Sequence, residues 1–307
     1  MGELKVGKTE PAPPTRSGFV ALAGRPNVGK STLANAIVGA KVAIVSDKPQ
    51  TTRRAIRGVA NGPDWQLVLV DLPGVQRPRD ALTERMQQRV EHELADADGC
   101  LLVVNAMQGI GPGDRFIASL LRPAAQRGVH VAIAVNKVDR LSRSALLEVL
   151  AQAGGLGLEA EVFPISARTG EGLAELVAHL GSLLPEGPFL FDAVGGDQPA
   201  DVLAAELIRE AAIRRTFPEV PHALEVIVEE LERERELLRV RALIWVETGS
   251  QKGILIGARG TMIKAIGTAA RKELERAFGG RVHLDLSVRV RRDWRADDGL
   301  LDRLGIS

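Results

Sequence analysis

The sequence predicts two successive units: an α/β domain with a mostly parallel sheet and helices on both faces, then a smaller α+β domain. Three observations predict it. From residue 19 to about 184, apolar strand-like runs alternate with amphipathic stretches, the rhythm of βα units. A proline- and glycine-rich break follows at 185–200, opening with Pro185-Glu186-Gly187-Pro188. Beyond it the order becomes helix, two strands, two helices and a strand.

In chain order, residues 1–17, with Pro11, Pro13 and Pro14, read as a disordered extension. The first domain is placed at 18–184. Its strand-like runs are 19–23, 56–60, 67–70, 99–104, 129–135 and 161–165, with helical stretches at 80–94, 114–127 and 141–153. The second domain is placed at 201–291: a helix at 201–215, a hairpin of 225–236 and 237–247 with a charged tip, two helices about 257–260 and a strand at 282–290. Residues 292–307 read as a tail, and Trp294 within it faces either a ligand or the first domain. Trp245, in a strand, reads as core.

Composition removes several classes of function. A net charge of +1 gives no global attraction to nucleic acid, so any such binding must rest on local patches. The one cysteine, Cys100, lies in an apolar run and reads as a core thiol, with no disulfide partners and a reducing, cytoplasmic setting. His92, His130, His179, His222 and His283 are too scattered to suggest a metal pair. No apolar stretch is long enough to span a bilayer, and the N-terminus lacks the apolar core of a signal peptide. With no tyrosine and 3% aromatic residues, an aromatic base-stacking sheet is not expected.

In an open α/β sheet, ligand chemistry sits at the carboxyl ends of the strands. The polar motifs fall there. Gly24-Arg25-Pro26-Asn27-Val28-Gly29-Lys30-Ser31 follows the first run, and a helical stretch beginning Thr32 leads out. Glycines let successive N–H groups face one concavity, and the helix start adds partial positive charge. Lys30 can then reach β- and γ-phosphates, and the Ser31 hydroxyl can ligate Mg²⁺. A plain glycine turn would not need Lys-Ser at the helix start.

Asp71-Leu72-Pro73-Gly74-Val75 ends the third run. Asp71 can hold Mg²⁺ through water, and the Gly74 N–H can sense a γ-phosphate. Asn136-Lys137-Val138-Asp139 ends the fifth. The Asp139 carboxylate can accept from both donors on guanine's edge, a pair adenine does not offer, so this loop selects guanine. Lys137 would pack along the base, Asn136 would tie loops together, and Ser166-Ala167-Arg168 would offer backbone donors to the guanine carbonyl.

These motifs, in this order, resemble the Ras-like GTPase superfamily. The wording of the phosphate loop and Val45-Ser46-Asp47-Lys48-Pro49-Gln50-Thr51-Thr52-Arg53 narrow the resemblance to the Era family. The resemblance implies a P-loop GTPase fold, GTP and GDP as ligands, and a threonine of the pair closing over Mg²⁺ with Ser31 and Asp71. Thr52 is favoured over Thr51. Position 72 is Leu where the family has Thr, and Val75 stands where Ras-type enzymes orient water with glutamine. Gln76 is one residue on, a shift that would point its side chain elsewhere, so intrinsic hydrolysis should be slow. Asn27 matches an asparagine that relatives use to ligate K⁺, so Lys30, Asn27 and Thr52 are the residues expected to bear on hydrolysis.

The second unit carries Gly257-Ala258-Arg259-Gly260 between an apolar run and an amphipathic helix, with Lys252, Gly253, Ile256 and Lys264 around it. A lone Gly-x-x-Gly is weak, but this order of elements is similar to the type II KH fold. There, paired glycines let single-stranded RNA approach a helix junction. The resemblance implies a small-subunit ribosomal RNA partner and a role in assembling that subunit. The rival expectation is a GTP-gated module that docks protein or lies peripheral to the inner membrane without binding RNA.

Overall fold

The computed structural model describes residues 15–304 and 306, apart from 47, 49–50, 76–77, 79, 193–194 and 217–222. The expectations placed on residues 1–14, Asp47, Pro49, Gln50, Gln76 and His222 lie outside the described residues. In order come β1 (Arg16–Ala23), α1 (Lys30–Val38), β2 (Ile56–Asn61), β3 (Trp65–Asp71), α2 (Ala81–Asp96), β4 (Gly99–Asn105), α3 (Pro112–Gln126), β5 (His130–Asn136), α4 (Arg143–Gly154), β6 (Glu161–Ile165) and α5 (Leu173–Leu183). Next are β7 (Gly195–Gly196), α6 (Ala200–Ile213), β8 (Glu225–Glu234), β9 (Leu237–Val246), α7 (Gly249–Ile256), α8 (Thr261–Phe278), β10 (Arg281–Val290) and α9 (Asp298–Arg303).

The first sheet has the order β6-β5-β4-β1-β3-β2-β7. It is parallel except for β2, which runs antiparallel to β3, and β7, which pairs antiparallel with β2. Strand side chains alternate between its faces: Ala21, Val70, Leu102 and Ile133 join one apolar layer, and Val20, Leu22, Leu69 and Leu101 the other. Helices cover both. The carboxyl ends of β1, β3, β5 and β6 therefore converge at one rim, where the nucleotide motifs lie.

The second sheet has the order β10-β9-β8, with β9 parallel to β10 and antiparallel to β8. Helices α6, α7 and α8 pack on one face through Ile208, Leu255, Ile266 and Leu274. Among the described residues, no helix is long and apolar enough to cross a membrane.

Several stretches are more ordered than their sequence suggests. Arg16 and Ser17 belong to β1, and the Thr15 hydroxyl donates to the Gly187 carbonyl at 2.8 Å. Within 185–200, β7 extends the first sheet, and the Gln66 side chain accepts from the Leu190 and Phe191 N–H groups. Residues 292–307 hold α9, which packs on α2. Trp294 is fully buried there with Leu82, Met86, Leu300 and Leu301, and its indole N–H donates to the Ala223 carbonyl at 3.0 Å. Packing against Leu82 and Met86 settles its two alternatives in favour of the first domain. Trp245 is half-buried beside the same cluster.

Candidate functional site

The phosphate loop is shaped by backbone positions that only certain residues tolerate. Gly29 sits at φ 104° and caps α1 with no side-chain acceptor on the first-turn N–H groups, which leaves them facing the concavity. A Cβ on Gly29 would lie 2.4 Å from Asn136 Nδ2. Asn27 adopts φ 64°, a left-handed conformation that asparagine accepts more readily than most residues. Pro26, Asn27, Lys30, Ser31, Thr32 and Thr52 line one cleft.

Lys30 is buried, and its Nζ donates to the Gly24 and Arg25 carbonyls at 2.9 and 3.1 Å. Burial pulls its pKa down to about 8, against the raising effect of the Asp71 charge. The Ser31 hydroxyl donates to Asp71 Oδ2 at 2.6 Å, and the Thr52 hydroxyl lies 3.1 Å from that of Ser31. Burial pushes Asp71 up to about 6, opposed by the Lys30 charge and by the two hydroxyls. Its Oδ1 is buried without a hydrogen-bond partner among the described residues. A buried carboxylate oxygen left open beside two hydroxyls is the donor set of a hard cation such as Mg²⁺, so the residues fit that ion. The Thr51 hydroxyl, lining the same cleft, instead donates to the Lys48 carbonyl at 2.6 Å.

Gly74 lies against the phosphate loop, where a Cβ would sit 2.7 Å from the Pro26 backbone. Only glycine allows that approach. The next N–H, of Val75, donates to the Gly24 carbonyl at 3.2 Å, while the side chains of Leu72 and Val75 enter the apolar core. The Leu at position 72 is thus a core residue. Val75 points away from the cleft, so it cannot meet water there.

The third motif ties the loops together. Asn136 Nδ2 donates to the Val28 carbonyl at 2.9 Å, and its Oδ1 accepts from the Ala167 N–H at 3.0 Å. Lys137, at φ 73°, reaches the Asn27 carbonyl with Nζ at 2.7 Å. Val138 is buried beneath the loop. Asp139 accepts from the Ser166 hydroxyl at 2.7 Å and from Arg168 at 2.5 Å, and these donors hold its pKa below the ordinary value. The Ser166 N–H goes to the Glu171 carbonyl and the Ala167 N–H to Asn136, so either must change partner to meet a guanine carbonyl.

The helix junction of the second domain is pinched by two glycines of unlike character. Gly257 has φ 71° and ψ 170°, a region open to glycine alone, and a Cβ there would meet Met262 at 2.8 Å. Gly260, at φ 77° and ψ 15°, is left-handed, with the nearest atom 4.0 Å from a Cβ. Between them Ala258 and Arg259 are exposed, Arg259 at φ 51°, with Lys252, the exposed Gly253 and Ile256 on α7 before the junction and Lys264 in the first turn of α8 after it. Substituting both glycines would therefore strain the loop itself; Gly260, left-handed but with open space around a Cβ, is the less strained of the two to change.

Sequence reading misses two supports. Arg25 Nε pairs at 2.9 Å with Asp114, a wholly buried carboxylate that also accepts from the Gly111 N–H at the start of α3. Arg53 is buried against the second domain: its NH1 donates to the Leu224 carbonyl at 2.7 Å and pairs with Glu225 at 2.6 Å. The available signal was complementary charge, Arg53-Arg54 against Glu206 of α6 and Glu225 of β8, without any spacing to join them.

Comparison with known proteins places both domains. Residues 19–137 match the family model described as 50S ribosome-binding GTPase, and residues 219–295 match that of the KH domain. The chain is 43% identical to GTPase Era of Mycolicibacterium smegmatis over 94% of its own length and 98% of the relative's. Among solved structures, a point variant of Aquifex aeolicus Era bound to GDP·AlF4⁻ superposes with TM-score 0.91 at 35% identity, over 95% of this chain and 100% of the other. Era in complex with MgGDPNP and nucleotides 1506–1542 of 16S ribosomal RNA fits with TM-score 0.91 at 35% identity, over 95% of this chain and 99% of that one.

Proposed function

The chain belongs to the GTPase Era family, and on that premise we propose that its GTP cycle governs contact with single-stranded 16S ribosomal RNA during small ribosomal subunit assembly in the cytoplasm. What supports this most is the joint fit of both domains to a relative that holds nucleotide and RNA at once.

In this reading GTP lays its phosphates across the 24–31 loop, with Lys30 and the N–H groups of 29–32 facing them. Ser31, Thr52 and Asp71 hold Mg²⁺, which supplies charge neutralisation on the β- and γ-phosphates. The Gly74 N–H faces the γ-phosphate, and Asp139 reads the guanine edge after exchanging Arg168 for the base. Val75 gives no water-orienting group; Asn27 would ligate K⁺, whose charge would offset that developing on the transferred phosphoryl group. Single-stranded RNA lies against 257–260 with its phosphates near Lys252, Arg259 and Lys264.

The test is anisotropy of labelled RNA carrying the 3′-terminal 16S sequence, with protein loaded with GDPNP. Gly260→Asp keeps a conformation that aspartate tolerates while adding a repelling carboxylate, and should weaken binding by roughly tenfold or more. Arg259→Ala should weaken all sequences about equally and flatten the salt slope by roughly one ion. A Gly260→Asp protein that melts normally and binds RNA as before would overturn the RNA reading of this loop.

A further inference from the structure

Thr52 has to present one hydroxyl beside Ser31, yet the segment that carries it is gripped from the other domain. On one side of Thr52, the Thr51 carbonyl accepts a hydrogen bond from Arg209 NH2 on α6. On the other, Arg53 is held by Leu224 and Glu225, and Arg54 donates to the Leu304 carbonyl at 2.6 Å and to Glu206 at 3.1 Å. Farther back, the Val45 N–H donates to Glu210 Oε1 at 3.0 Å.

Arg209 is the member of this set that touches the Thr52 peptide unit itself. It is completely buried, and Glu206 grips it at Nε (3.1 Å) and NH2 (2.5 Å), which fixes the plane of the fork. Its NH1 is buried with no hydrogen-bond partner among the described residues. A guanidinium with an open donor is a poor filler for a helix–loop contact, since an apolar side chain of similar volume avoids the desolvation cost. What an apolar residue cannot do is fix where the Thr51 carbonyl points. The peptide that carries this carbonyl leads directly into Thr52.

We infer that Arg209, locked by Glu206, is a positioning residue for GTP hydrolysis: it sets the Thr51–Thr52 peptide so that the Thr52 hydroxyl faces Ser31 and Asp71. The second domain thereby completes the nucleotide site of the first. This inference rests on the assignment of Thr52 to Mg²⁺ made above.

The full chain is tested as Arg209→Met, Arg209→Lys, Glu206→Gln and Thr52→Ala. Each is measured for GTP hydrolysis against Mg²⁺ concentration, for GDPNP and GDP affinity, and for melting. First-switch contacts form around the γ-phosphate and its metal, so a positioning defect spares GDP, whereas a merely structural one does not. Loss of one charge-assisted hydrogen bond predicts about a tenfold rise in the Mg²⁺ needed and about a tenfold fall in the GDPNP-to-GDP affinity ratio for Arg209→Met. Arg209→Lys, keeping one donor, should recover part of both, and Glu206→Gln should show a smaller shift of the same kind. If Arg209→Met does not fold, Glu206→Gln carries the comparison. Should Thr52→Ala shift both readouts while the Arg209 and Glu206 variants shift neither, or lower GDP and GDPNP affinity alike, the positioning role is refuted and the Thr52 assignment stands. Should Thr52→Ala itself leave both unmoved, that assignment falls and takes the inference with it.

Discussion

Arg53→Met removes the central charge of the contact between the two domains. The Arg53 and Glu225 side chains are each 1% exposed and pair at 2.6 Å, and the Leu224 carbonyl loses its donor as well. Taking away one partner of a buried pair costs about 3–5 kcal/mol. Arg54, 3.6 Å from the same carboxylate, remains and draws the figure to the lower end, about 3 kcal/mol, or roughly a hundredfold in the docking equilibrium. Methionine keeps the apolar stem that packs near the Trp294 ring, so the change isolates charge. The pH dependence follows with a definite sign. Burial alone would raise Glu225, but the Arg53, Arg54 and Arg209 charges outweigh it and hold the carboxyl at about 2 against an ordinary 4.5. A depressed folded-state pKa stabilises above the unfolded value, and that contribution fades as pH falls from about 4.5 toward 2. In the variant the burial effect gains ground and the carboxyl rises, so its deficit relative to the parent should be largest at about pH 7 and shrink on acidification. Amide hydrogen exchange of α6 and residues 51–54 measures the opening of this contact without assuming two-state unfolding of the whole chain. Adding Glu225→Met should restore most of the loss. A deficit below about 1 kcal/mol at neutral pH, or one indifferent to pH, would refute the reasoning.

Two further outcomes follow from the nucleotide site. Asp139→Asn turns one acceptor into a donor, which repels guanine and suits the carbonyl of xanthine; preference should move from GTP to XTP by roughly a hundredfold or more. A titration showing unchanged GTP preference would remove guanine selection from Asp139. Turnover should be roughly tenfold or more higher in K⁺ than in Na⁺, and Asn27→Ala should erase the difference; equal rates for the parent protein in the two salts would leave Asn27 as a loop residue only.

What could be read in the sequence is what local periodicity and local chemistry encode. Strands β1, β3, β4 and β5 announce themselves as apolar runs, because a strand covered on both faces has no polar side to interrupt it. Each nucleotide motif is a short string whose residues act together, so its spacing alone carries the information. Elsewhere the string is silent. Thr51 and Thr52 are chemically equal, and only the fold turns one hydroxyl to the Lys48 carbonyl and the other to Ser31. The φ and ψ that separate Gly257 from Gly260 leave no mark on a Gly-x-x-Gly string. Hardest of all is the contact between domains. It joins residues 51–54 to Glu206, Arg209, Leu224 and Glu225 and to the end of a six-residue helix, α9, too short to show a helical period. Trp294 illustrates why. Beside Arg291, Arg292 and Arg295 it looks like a surface residue of a basic tail. In the fold, Arg53 lies 5.4 Å over its ring, and Arg295 reaches back to Asp80 at the start of α2. A basic tail and a buried latch have the same composition; what separates them is whether acids and apolar side chains from distant segments are brought within reach, and only the tertiary structure decides that.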